Sequence, residues 1–222
     1  MRKEKIYFKN NKNQKLGGYL YIPDGKGPFP AVVLIHGFTG GTHEIKNRFM
    51  CDKLADEGFV TLMFDFYDKP NKLSEPKIEH TNVTQQVKDT GSAIDFIETL
   101  PYVDKDKIGL AGHSLGGMTV ILYAAKQDPR IKALVAQSAV TEIKKTEPIK
   151  FFETTDAKKR GYAVFDKDWD SVKINMSFYD DVLSYDVYKE AGTITDPMLV
   201  FHGDKDETVP VQQARDLFKH LN

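Results

Sequence analysis

The stretch Ile108-Gly109-Leu110-Ala111-Gly112-His113-Ser114-Leu115-Gly116-Gly117 decides how this chain folds. A short apolar run, Lys107–Ala111, predicts a strand. It passes through Gly-x-Ser-x-Gly directly into Leu115–Lys126, whose pattern predicts a helix. A chain turning that sharply leaves no room at 112 or 116, where a side chain would strike neighbouring backbone. The turn lifts Ser114 above the sheet edge at a helix N-terminus, where unpaired N–H groups and the helix dipole favour negative charge. The five-residue pattern alone would arise by chance in about one chain in thirteen of this length. The strand before it and the helix after it set it apart from a chance glycine turn.

Strands and helices alternate on either side of this turn. Ile6–Lys9 and Lys15–Ile22 read as two opening strands, separated by the turn signal Asn10-Asn11-Lys12-Asn13. Ala31–Ile35 is a continuous apolar run rich in β-branched residues, which predicts a strand buried on both faces. His43–Glu57 reads as a helix with Ile45, Phe49 and Leu54 as its inner stripe, stopped at Gly58. Phe59–Phe64 is a further buried strand. Thr81–Leu100 is a helix with Val83, Val87, Ile94 and Ile97 facing inward, ended by Pro101. Ile131–Ala136 is the sixth strand, Pro197–Phe201 the seventh, and Val211–Leu221 a helix packed through Val211, Ala214, Leu217, Phe218 and Leu221. Alternation of this kind predicts one α/β domain over residues 1–222, with a mainly parallel sheet and helices on both faces.

One segment breaks the pattern. Residues 141–190 lie between the sixth and seventh strands and are too long for an ordinary connection. They hold nine of the chain's 25 aromatic residues: Phe151, Phe152, Tyr162, Phe165, Trp169, Phe178, Tyr179, Tyr185 and Tyr188. An inserted cap packing aromatics over a cleft accounts for both facts; a surface excursion with its own small core is the alternative.

Two further loops fall at the carboxyl end of the sheet, where ligands of α/β sheets sit. His36-Gly37-Phe38-Thr39-Gly40-Gly41 follows the first buried strand. The backbone N–H groups of Phe38 and Leu115 are the expected pair of oxyanion donors. His36 is expected to orient this loop. Phe201-His202-Gly203-Asp204-Lys205-Asp206 follows the last strand and offers Asp206, or Asp204, as the carboxylate that orients a base. The base itself is not found. In a Ser–acid–His chain order only His220 follows Asp206, and it rides the far end of a helix on the order of 15 Å from the site. The expectation is a histidine beyond Asn222, on a loop after one more strand. Without that strand and its covering helix, an open strand edge and uncovered apolar surface should remain.

Composition narrows the function classes. Lys plus Arg number 31 against 32 for Asp plus Glu, a balance that argues against nucleic acid or an anionic membrane as partner. Cys51 is the one cysteine and is expected to be a small buried side chain rather than a catalytic thiol. No disulfide can form within the chain. Met1-Arg2-Lys3-Glu4-Lys5 carries no signal-peptide pattern, and no run of about 18 apolar residues occurs, so the expected location is cytoplasmic. No metal or organic cofactor is expected.

At His36–Gly40, Gly112–Gly117 and His202–Pro210 the chain resembles the α/β-hydrolase superfamily. It looks most like small carboxylesterases of the cinnamoyl/feruloyl esterase and dienelactone-hydrolase-like groups. The resemblance implies a serine esterase acting on a small-molecule ester, with a cap between the sixth and seventh strands. It also implies Ser114 as nucleophile, Asp206 as acid, and Phe38 and Leu115 as oxyanion donors. Val209-Pro210 stand where those groups keep them relative to the acid, which favours Asp206 over Asp204. Two departures stand out. The histidine is absent, and Phe66-Tyr67-Asp68-Lys69-Pro70 lacks the Arg-Gly-x-Gly pattern common there. Thioesters or peptides as substrates, or a binding role without turnover, remain open at this point.

Overall fold

In the computed structural model, which describes residues 1–68, 71–167 and 170–222, seven strands form one sheet. Chain order gives β1 (Arg2–Lys9), β2 (Lys15–Ile22), β3 (Phe29–Ile35), α1 (Ile45–Asp56), β4 (Val60–Phe64), α2 (Val83–Glu98), β5 (Val103–His113), α3 (Leu115–Ala124) and β6 (Ile131–Gln137). Next come α4 (Glu147–Glu153), α5 (Thr155–Arg160), β7 (Tyr162–Lys167), β8 (Asp170–Asn175), α6 (Met176–Leu183), α7 (Val187–Ala191), β9 (Met198–Phe201) and α8 (Gln212–His220). The sheet order is β1-β2-β4-β3-β5-β6-β9. The opening hairpin joins antiparallel through β2 against β4, and the pairs from β4 to β9 are parallel. This is the expected α/β-hydrolase architecture, a mainly parallel sheet with helices on both faces.

The two faces are not equally covered. All ten residues of α3 are buried, and the α2 stripe Val83, Val87, Ile94 and Ile97 packs beside it as expected. Side chains of the strands that point this way, such as Val33, Leu110 and Leu134, are buried. On the opposite face α1 shields only the β2–β4 side. There Cys51 and Ala55 pack with Tyr21 and Met63.

Beyond α1 lies an open apolar groove of about 660 Å³ lined by Val32, Leu34, Ala111, Val135, Leu199 and Phe201. The expectation that Ala31–Ile35 is buried on both faces is therefore corrected: Val32 and Leu34 face the groove and are only half-buried. The α1 stripe is corrected for the same reason. Ile45 is 83% exposed and Phe49 62% exposed, because they line the groove's rim while Cys51 and Ala55 take the inner positions. In α8, Leu217 and Gln213 are buried, whereas Phe218 is exposed.

Between β6 and β9 the chain leaves the sheet and builds α4, α5, the antiparallel β7–β8 hairpin, α6 and α7. Phe152 and Phe178 are buried at its centre. Trp169, one of the aromatics counted in this segment, lies outside the described residues, as do Lys69 and Pro70 of the loop after β4. Among the described residues, no helix is long and apolar enough to cross a membrane.

Candidate active site

Ser114 stands between β5 and α3 with φ 57° and ψ −120°, a backbone conformation that L-residues with side chains seldom adopt. Its backbone is held on three sides: its N–H donates to the Gln137 carbonyl (2.9 Å), and its carbonyl accepts from Met118 (3.2 Å) and Val140 (3.1 Å). The glycines around it have no room to be anything else. A Cβ on Gly112 would sit 2.2 Å from the Gly116 carbonyl oxygen, and one on Gly116 would sit 2.3 Å from that of Ile35.

The loop after β3 closes against this turn. A Cβ on Gly37 would come within 3.3 Å of the Ser114 Cβ. Thr39 has φ 54°, a second strained residue beside the first. His36 is buried and ties the loop to its neighbour: Nε2 accepts from the Phe66 N–H (3.2 Å), which leaves Nδ1 to donate to the Gly37 carbonyl (2.9 Å). Burial holds its pKa below the usual imidazole range, so the ring is neutral. Phe38, Ser114 and Leu115 line one pocket, and among the described residues neither the Phe38 nor the Leu115 amide donates a hydrogen bond.

The acid loop reaches the same pocket through Thr208 and Val209. Asp206 Oδ1 accepts from the N–H groups of Thr208 (3.0 Å) and Val209 (2.9 Å). Its Oδ2 lies 3.4 Å from His202 Nε2, whose closer partner is the Val209 carbonyl at 2.7 Å. Burial alone would raise the Asp206 pKa, but the Val209 and Thr208 amides, His202 and the Ser138 hydroxyl together bring it below the ordinary carboxylate range. Asp206 is thus an anion at neutral pH. Asp204 is exposed and, among the described residues, makes no side-chain hydrogen bond.

Ser138, at the end of β6, has φ 43° and is a feature the sequence did not announce, since nothing marks a non-glycine residue for positive φ. His202 belongs to the acid loop but is given no role by the sequence; its side chain is buried, with Nδ1 unpartnered.

The rest of the pocket is apolar except for Thr146: Val140, Ile143, Pro148, Ile149, Phe152 and Phe178 come with it from the segment between β6 and β9, and among the described residues no charged side chain lines it. Among the described residues, no histidine is hydrogen-bonded to both Ser114 and Asp206. His113 turns toward Lys46 (3.4 Å) and the groove, and burial followed by the Lys46 charge lowers its pKa. His220 stacks on Tyr188 (4.6 Å) at the exposed end of α8.

A sheet of this order, with a strained serine at the β5–α3 turn, defines an α/β hydrolase. The sequence model of the prolyl oligopeptidase family matches residues 52–222, and the chain belongs to that family. Among solved structures it is similar to Est1E from Butyrivibrio proteoclasticus with ferulic acid bound. The identity is 28% and the TM-score 0.82, over 97% of this chain and 85% of that one. Among curated proteins it is 36% identical over 146 residues to YcjY of Escherichia coli K12, an uncharacterized protein, covering 63% of this chain and 46% of that protein. It is 33% identical over 137 residues to thiohydrolase apmlB of Arthrinium phaeospermum, covering 60% and 42%. The chain thus spans less than half the length of these curated relatives.

Proposed function

We propose that this hydrolase is a serine carboxylesterase acting on small, uncharged esters with apolar or aromatic acyl groups. The observation that carries the reading is the strained, positive-φ backbone of Ser114, set beside two undonated amides on one largely apolar pocket. Ser114 Oγ attacks the ester carbonyl carbon and gives its proton to a base. The carbonyl oxygen becomes an anion held by the Phe38 and Leu115 N–H groups. The C–O bond to the alcohol breaks as the base returns the proton, leaving an acyl-serine, and water repeats the sequence to release the acid. Asp206 orients and stabilises the charged base. The segment between β6 and β9 acts as a cap, and its apolar lining selects the acyl group by burial and ring packing. The ferulic acid bound by Est1E supports an aromatic acyl group here.

The base in this reading is a histidine from a segment outside these 222 residues. The open β9 edge and the apolar groove beside Phe201 support a further strand and helix docking there. Thioester hydrolysis is a second reading, favoured by the similarity to a thiohydrolase. It uses the same acyl transfer, and a panel of matched oxygen esters and thioesters separates the two.

The test is covalent labelling with a fluorophosphonate, read by mass spectrometry together with p-nitrophenyl acetate hydrolysis. One label on Ser114, lost in Ser114→Ala, is expected when the base-bearing segment is present. An unlabelled serine in that form would leave a binding protein without turnover.

A further inference from the structure

Phe38 is fixed in an unusual way. The stem of its loop is well anchored: Gly40 N–H donates to the Gly37 carbonyl (3.0 Å), and Thr42 N–H to Asp65 (2.6 Å). Phe38 itself makes no hydrogen bond among the described residues, and the residue after it is strained. What grips it is its ring. Phe165 of β7 meets that ring edge-on (5.0 Å between centroids, 79°), and Phe178 of α6 lies against it at 5.0 Å and 36°. Both belong to the segment between β6 and β9, and both pack on Phe152, which is fully buried. Ring pairs of this geometry attract beyond the area they bury, on a scale comparable to the hydrogen bonds the residue lacks.

We propose that Phe165 and Phe178 are positioning residues for the Phe38 amide, so that the cap sets the oxyanion donor as well as the shape of the pocket. The catalytic meaning of this rests on the esterase reading; the mechanical coupling does not. Phe178 also lines the pocket, whereas Phe165 does not, so Phe165 separates positioning from substrate contact.

The experiment compares Phe165→Leu, Phe178→Leu and Phe165→Tyr with the unaltered chain. Phe151→Leu is the control, since Phe151 packs on Phe165 (5.1 Å) and, among the described residues, the rings paired with Phe38 are those of Phe165 and Phe178. Amide hydrogen exchange by NMR reads the Gly40 N–H, whose bond to Gly37 closes the loop. Exchange at Gly40 should rise about tenfold, equivalent to 1.4 kcal/mol, in both leucine variants. It should stay unchanged in Phe151→Leu and return to the starting value in Phe165→Tyr. The β3 amides should hold their protection throughout.

In the form that labels with fluorophosphonate, Phe165→Leu should lower the maximal labelling rate about fivefold without moving the half-saturating probe concentration. Unchanged Gly40 exchange in Phe165→Leu and Phe178→Leu, with β3 still protected, would overturn the coupling. So would an equal rise in Phe151→Leu. If no form labels, the esterase reading fails, while the exchange result still decides the coupling.

Discussion

The two faces of one sheet differ sharply in this molecule. Toward α2 and α3, the strands present Val33, Ile108, Leu110 and Leu134 to a helix with all ten residues buried. Toward α1, the alternate residues of the same strands, Val32, Leu34, Ala111 and Val135, line an open groove, with Leu199 59% and Phe201 40% exposed at its far wall. The side chains on the two faces are chemically alike. What differs is the element laid over them. A parallel strand apolar on both sides requires cover on both sides, and here one side has half of it. The difference teaches where stability is concentrated and where the sheet leaves apolar surface open.

Three measurements sharpen or break this contrast. The largest effect belongs to the covered face. Ile121→Ala, at a fully buried position of α3, should cost about 3 kcal/mol in denaturant unfolding. A loss below about 1 kcal/mol would mean that α3 is no better seated than α1.

Next comes a charge hidden on that same side. Asp89 of α2 is buried and accepts from Asn10 (3.0 Å) and Gln85 (2.7 Å). Burial outweighs those bonds and pushes its pKa up to about 6 from 3.8. A carboxyl with a raised native pKa binds more protons folded than unfolded. Its penalty is therefore full above pH 6 and disappears as pH falls toward 4. Asp89→Asn should gain about 1–2 kcal/mol at pH 7, with the gain shrinking to nothing below pH 4. A gain of equal size at both pH values would show that charge burial is not its origin.

The smallest effect belongs to the open face. Phe49→Ser should change stability by no more than about 0.5 kcal/mol, while lowering the binding of a hydrophobic dye to the groove. A loss of several kcal/mol would show that the groove is closed in solution.

Much of this was legible in the sequence, for physical reasons that differ by region. The serine turn was readable because its demands are local: Gly112 and Gly116 are forced by backbone atoms only a few residues or one strand away. The loops at Phe38 and Asp206 were readable because each follows a strand and so must end at the same sheet edge. The face left open was not readable. Ala31–Ile35 is apolar at every position, and such a run cannot say which of its sides is covered.

The helix α1 carries two apolar stripes, Ile45 with Phe49 and Cys51 with Ala55. Only the tertiary neighbours Tyr21 and Met63 choose between them. The β7–β8 hairpin was not readable either, although Val172 and Ile174 alternate with Ser171, Lys173 and Asn175, because so short an alternation does not stand out in an irregular segment. The positive φ of Thr39 and Ser138 had no glycine to announce it.

Cys51 turns this architecture into an instrument. Its thiol is fully enclosed beneath α1, burial raises its pKa to about 12, and it is the only sulfhydryl the chain possesses. A maleimide or iodoacetamide reagent can reach it only when α1 lifts from β2 and β4 or the whole molecule opens. Its alkylation rate therefore times the detachment of a single helix. Any ligand that settles into the groove against Ile45 and Phe49 should slow that clock.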